Sequence, residues 1–130
     1  MVFRRIAVLL FAAALGAGGL TACSSDGGGG GGDQKAKRPF PSAPELAVTG
    51  DSLSFDPDEL TVPAGKLNIA LTAGDQFHDF VIEDVDGIVE AGSGETETAG
   101  FEITKPGEYT FYCSVPGHRQ GGMEGTLTVE

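Results

Sequence analysis

Tryptophan is absent from the 130 residues, and the chain has only two tyrosines, two histidines and two cysteines. Basic residues are scarce: eight Lys and Arg stand against 19 Asp and Glu, a formal charge of −11. A surface this acidic repels phosphate backbones, which excludes nucleic acid as a partner. From Glu45 onward no stretch of ten residues repeats its apolar positions at helical spacing, so a helical bundle is excluded as well. Residues 45–130 leave roughly 85 residues from which to build a core. That is enough for one small domain and too few for a large multidomain enzyme. What is plentiful is glycine, 21 in all, with an unbroken run from Gly27 to Gly32.

Arg4 and Arg5 precede an apolar run from Ile6 to Leu20. The run is too short, and too rich in Gly and Ala at its end, to span a bilayer comfortably. A charged start followed by such a run reads as an export signal. It closes on Leu20-Thr21-Ala22-Cys23, which resembles a bacterial lipobox. The resemblance implies that residues 1–22 are a removed signal peptide and that Cys23 carries the lipid. The product would be an exported lipoprotein, anchored to the cell membrane on its extracytoplasmic face. Losing Arg4 and Arg5 would take the formal charge from −11 to −13. Twin arginines also occur in signals for the export of folded proteins, so the route stays open. Residues 23–44 then hold the glycine run, the cations Lys35, Lys37 and Arg38, and prolines 39, 41 and 44. Such a segment buries too little apolar surface to order itself and reads as a flexible tether, with a root-mean-square reach on the order of 25 Å. Its basic cluster either rests on anionic headgroups, which repel the acidic domain beyond, or belongs to a plain soluble spacer.

From residue 45 to 130 the apolar residues alternate with polar ones between turn signals. Leu67, Ile69, Leu71 and Ala73 alternate with Lys66, Asn68, Ala70 and Thr72, which predicts one dry and one wet face. Further strands are expected at residues 77–84, 87–91, 97–103, 108–113 and 125–129, separated by Asp-Gly, Ser-Gly and Pro-Gly turns. About seven to eight short strands make an all-β domain, and this spacing favours a sandwich. Parity places side chains. Asp79 and Glu83 are expected to face water, which turns His78, Phe80 and Ile82 inward. Tyr109, Phe111 and Cys113 share the inward parity, and counting back from Val129 and Leu127 brings Met123 to the same interior.

Cys113, His118 and Met123 therefore put a thiolate, an imidazole and a thioether on one loop, and His78, the only other histidine, can complete the set from a neighbouring strand. Two histidines, one cysteine and a weak axial methionine are the donors of an electron-transfer copper centre. Calcium or magnesium would need carboxylates that the loop lacks. Taken singly, each residue has a plainer reading. An inward histidine is usually a satisfied core side chain, and methionine a gap filler. A cysteine in an exported chain is normally half of a disulfide. Here, however, the only possible partner is Cys23, whose sulfur the lipid takes.

Tyr109-Thr-Phe-Tyr-Cys113, Gly117-His118, Gly122-Met123 and Phe77-His78-Asp-Phe-Val-Ile82 resemble the cupredoxins, or blue copper proteins, in their plastocyanin, azurin and auracyanin-like branches. The resemblance covers residues 45–130 and implies a Greek-key β-sandwich with His78, Cys113, His118 and Met123 as copper ligands. It departs from those branches in two places. The C-x4-H-x4-M loop is longer before the histidine than in plastocyanin and longer after it than in azurin. Asp79 also stands where many relatives have Asn; it can accept a hydrogen bond from Ser114, and its charge is expected to lower the reduction potential. The family also implies that His118 is the electron port, lined here by Val115, Pro116 and Gly117.

The implied function is that of a monomeric one-electron carrier with a mononuclear type 1 copper ion, tethered to the outer face of a bacterial membrane. Its redox partners, such as a cytochrome or an oxidase or reductase complex, would present a basic docking patch. The 17 Asp and Glu from Glu45 onward face only Lys66, Lys105 and Arg119, a balance that steers such a patch. The alternative is a copper storage or delivery protein. An adhesion-like sandwich without metal is a weaker rival. No enzyme is expected, because both histidines are committed and the carboxylates are scattered. Nor is there the second Cys that a binuclear copper site requires.

Overall fold

The computed structural model describes residues 35–130. The expected signal peptide, Cys23 and the glycine run lie outside the described residues. Nine strands form: β1 (Glu45–Asp51), β2 (Ser54–Asp56), β3 (Glu59–Val62), β4 (Gly65–Ala73), β5 (His78–Ile82), β6 (Ile88–Ala91), β7 (Thr96–Ile103), β8 (Gly107–Tyr112) and β9 (Glu124–Val129). The seven or eight expected become nine because β2 has only three residues, too few for alternation to register.

The strands make two sheets, ordered β2-β1-β4-β7 and β3-β9-β8-β5-β6. β1 runs parallel to β4 and β3 parallel to β9; the other pairs are antiparallel. The strands adjacent in each sheet are mostly not adjacent in sequence, so the chain crosses repeatedly between layers and locks them together. Leu67, Ile69 and Leu71 of β4 and Phe101 of β7 meet Phe80 and Ile82 of β5, Phe111 of β8 and Leu127 of β9, all fully buried. Four phenylalanines bridge the layers: Phe80 stacks on Phe111 at 4.6 Å, Phe55 stands edge-on to both, and Phe101 meets Phe80 edge-on at 6.1 Å. Such offset and edge-on pairs add to what burial alone contributes.

Two faces differ from the pattern that alternation predicts. On β4, Asn68 and Ala70 are buried although they point away from the sandwich core. The chain ahead of β1 covers Asn68. Asn68 accepts the Phe40 N–H on Oδ1 at 2.8 Å and donates from Nδ2 to the Phe40 carbonyl at 3.0 Å. The Gly100 N–H donates to the Lys37 carbonyl, and the Phe40 ring lies so close to Gly100 that a Cβ there would stand 2.8 Å from it. Residues 37–44, which the sequence places in the tether, are thus a strap on the outer face of the four-stranded sheet. On β5, Asp79 does not face water but is 3% exposed, because Ser114 covers its carboxylate with two hydrogen bonds.

Candidate metal centre

All four expected ligands sit at one end of the sandwich, where strands hand over to loops. His78 opens β5, Cys113 follows the last residue of β8, and Met123 precedes the first residue of β9; these three are fully buried. His118 lies midway along the loop from residue 113 to 123 and is partly exposed. The ladder explains the placement. His78 is one inward position beyond Phe80, and Cys113 one beyond Phe111, so the phenylalanine cluster forms the dry floor beneath them. A bond from the Cys113 N–H to the Met123 carbonyl continues the β8–β9 pairing, and the Met123 N–H bonds back to the His118 carbonyl. Both ends of the loop are fixed by its own backbone.

One nitrogen of His78, the Cys113 Sγ and one nitrogen of His118 all lie within 4.8 Å of one another. Donors each about 2.0–2.3 Å from a shared ion span a similar distance. The His118 Nδ1 is 3.5 Å from the Cys113 Sγ, and the two imidazole centroids are 5.2 Å apart. His78 Nδ1 is buried with no hydrogen-bond partner among the described residues. A buried nitrogen normally has a partner, and an unprotonated imidazole nitrogen can take a metal ion as that partner. Met123 reaches the same spot: a Cβ built on Gly50 would stand 2.9 Å from the Met123 Cε and 3.1 Å from the His78 Cδ2. The residues therefore fit a metal ion.

Burial pushes the Cys113 thiol above its ordinary pKa, and the charge of Asp79 adds to this, while the backbone N–H groups of Asp79 and Val115 pull it down. A thiol kept neutral by its surroundings becomes a thiolate when a metal ion supplies the compensating charge. Asp79 also fastens the loop from behind, since its two oxygens accept the Ser114 N–H and hydroxyl, each at 2.5 Å.

Three residues that the sequence did not single out complete the site. Asp75 accepts a hydrogen bond from the outer nitrogen of His78, and that contact holds its carboxyl below the ordinary range. Gly50 is the bare backbone against which His78 and Met123 close. Arg119, between two ligands, donates to Glu83 at 2.6 Å and to Glu124 at 3.1 Å and lies 4.2 Å over the Tyr112 ring. Glu83 is 36 residues away in sequence, so only the fold reveals this staple.

The family model described as a cupredoxin-like domain matches residues 19–129. Plastocyanin from Dryopteris crassirhizoma is 29% identical over 94 residues, 61% of this chain and 90% of that protein. Cytochrome c oxidase subunit 2 from Thermus thermophilus is 30% identical over 95 residues, 69% of this chain and 68% of that protein. The crystal structure of dithionite-reduced auracyanin from Roseiflexus castenholzii matches with a TM-score of 0.56 at 27% identity, over 68% of this chain and 98% of its own. With this donor set and these relatives, the metal is copper.

Proposed function

The chain belongs to the cupredoxin-like family, and on that premise we propose that it is a one-electron carrier held at the outer face of a bacterial membrane by a lipid on Cys23. The observation that carries the reading is the convergence of one thiol, two imidazoles and a thioether on one buried point between two interlocked sheets. Copper, when bound, supplies the Cu(I)/Cu(II) couple. The protein's part is to hold His78, Cys113, His118 and Met123 in one arrangement that serves both states, so that little rearranges when an electron passes. The phenylalanine floor keeps water out from below. Neutral imidazoles and a thiolate face the ion, while the partly exposed His118 ring gives the electron a short way out through the surface formed by Val115, Pro116 and Gly117.

A carrier needs only a small contact surface here, because its partner must leave as readily as it arrives. The acidic domain draws a basic patch on the partner, such as a cytochrome or an oxidase or reductase complex, with association that weakens as salt rises. A single cysteine among the described residues favours a mononuclear centre.

The test is the spectrum. Copper-loaded, oxidised protein is expected to show an intense visible thiolate-to-copper band that vanishes in Cys113→Ser. A colourless loaded protein would overturn the carrier in favour of storage or delivery. Cys23→Ala should release the protein from membranes, and continued membrane association would refute the lipid anchor.

A further inference from the structure

We propose that Asp75 is a positioning residue of the copper centre, whose carboxylate fixes the His78 ring from its far side and biases the centre toward the oxidised ion. The assignment rests on the carrier reading above. A neutral imidazole has one N–H. In His78, Nδ1 is buried with no partner among the described residues, whereas Nε2 lies 2.8 Å from the Asp75 Oδ1. The proton therefore sits on Nε2 and is donated to Asp75, which leaves the Nδ1 lone pair aimed at the ligand point. This is the carboxylate–imidazole–metal order in which an outer partner fixes the tautomer, orients the ring and raises its basicity.

Asp75 is well placed to do this because three turns hold it. Its Oδ2 accepts the Ser52 N–H at 3.2 Å, its Oδ1 accepts the Gln76 N–H at 3.0 Å, and its carbonyl accepts the Ser93 hydroxyl at 3.0 Å. Ser52 and Leu53 form the β1–β2 turn with φ of 49° and 66°, a left-handed conformation that bulky residues rarely adopt. Holding this turn delivers the Ser52 N–H to Asp75 and sets Gly50 beneath His78. The electrostatic sign is unambiguous. A negative charge on the far side of His78 attracts a doubly charged ion more than a singly charged one. The Asp75 side chain is 37% exposed, so solvent weakens its charge effect on the ion.

Three variants of the full chain test this: Asp75→Ala, Asp75→Asn, and Asp51→Asn as a nearby carboxylate that does not touch His78. The measurements are Cu(II) and Cu(I) affinity by chelator competition, reduction potential, electron paramagnetic resonance and melting of the copper-free protein. Asp75→Ala is expected to weaken Cu(II) binding about 10- to 100-fold with a smaller loss for Cu(I). The potential then rises by about 59 mV for each tenfold difference between the two. Asp75→Asn keeps an acceptor for the ring and loses the charge, so its potential rises while its resonance spectrum stays close to the parent's. Copper-free Asp75→Asn, which keeps an acceptor for the ring, melts close to the parent, whereas Asp75→Ala, which leaves the buried His78 Nε2–H and the Ser52 N–H without their acceptor, melts lower. An unchanged potential in Asp75→Asn, or an equal rise in Asp51→Asn, overturns the proposal. Failure of the carrier reading looks different, since the unsubstituted protein would then lack the visible band.

Discussion

Gly50 shows how one missing side chain shapes the centre. It lies on β1, in the opposite sheet from His78 on β5, and its backbone closes against both His78 and Met123. A methyl group there would meet the Met123 Cε at 2.9 Å and the His78 ring carbons at 3.1 and 3.2 Å. The Met123 Cε is the far end of a flexible side chain and the His78 ring would have to give by a few tenths of an ångström, so something must move. Gly50→Ala is expected to destabilise the copper-free protein by about 1–3 kcal/mol through overpacking, seen as a lower melting temperature. It should also shift the visible band of the loaded protein, because Met123 is the side chain freer to withdraw. Unchanged values for both would mean the site relaxes at no cost. The ligands themselves were legible in the sequence because their types are so sparse: two histidines and one unpaired cysteine leave few alternatives. Gly50 and Asp75 were not, since nothing in local periodicity says which turn arrives behind a given ring. Asp79 was misplaced for a related reason. Pleat parity gives the face a residue points to but not its burial: the Ser114 hydrogen bond that accompanied the family resemblance is present, and Asp79 is buried with it.

At the scale of elements, alternation and turn residues located most strands to within a residue or two. β7, expected at 97–103, spans Thr96–Ile103, and β9, expected at 125–129, spans Glu124–Val129. The strap defeats the same reasoning. Pro39, Pro41 and Pro44 beside Lys35, Lys37 and Arg38 read as solvated chain, yet the backbone of Phe40 is held by a buried amide and its ring lies on Gly100, with Lys66 at 5.0 Å above it. A segment with almost no apolar content of its own is ordered here by one phenylalanine and borrowed hydrogen bonds. Asn68→Ala removes both bonds to Phe40 and leaves its N–H unpaired, a cost of about 1–3 kcal/mol if that group stays buried, while the carbonyl keeps the Ala43 N–H at 3.3 Å. The variant should melt lower than the parent. A chain shortened to begin at residue 45 should melt lower as well, and in it Asn68→Ala should cost little further, because the partner is already gone. Equal effects of Asn68→Ala in the long and short chains would show that the amide stabilises something other than the strap.

For the whole molecule, copper and folding are coupled through distance. The three fully buried ligands come from the start of β5 and from either end of the loop joining β8 to β9, and the unfolded chain has no reason to gather them. An ion that binds the folded state alone stabilises it by RT ln(1 + [L]/Kd), about 2.7 kcal/mol when free copper is 100 times its dissociation constant. For a domain of this size that corresponds to a rise in melting temperature on the order of 10–20 °C. The rise should be largely lost in Cys113→Ser, which removes the soft anionic donor, and should keep growing with the logarithm of free copper in the parent. The floor under the site makes a second demand on the same experiment. Because Phe80 and Phe111 fix the inward positions next to His78 and Cys113, copper should not alter far-ultraviolet circular dichroism on binding, and the gain should come from ligand pairing rather than from new structure. A large change in strand content on loading would mean instead that the copper-free domain is only partly folded, and that the ion completes the sandwich rather than occupying it.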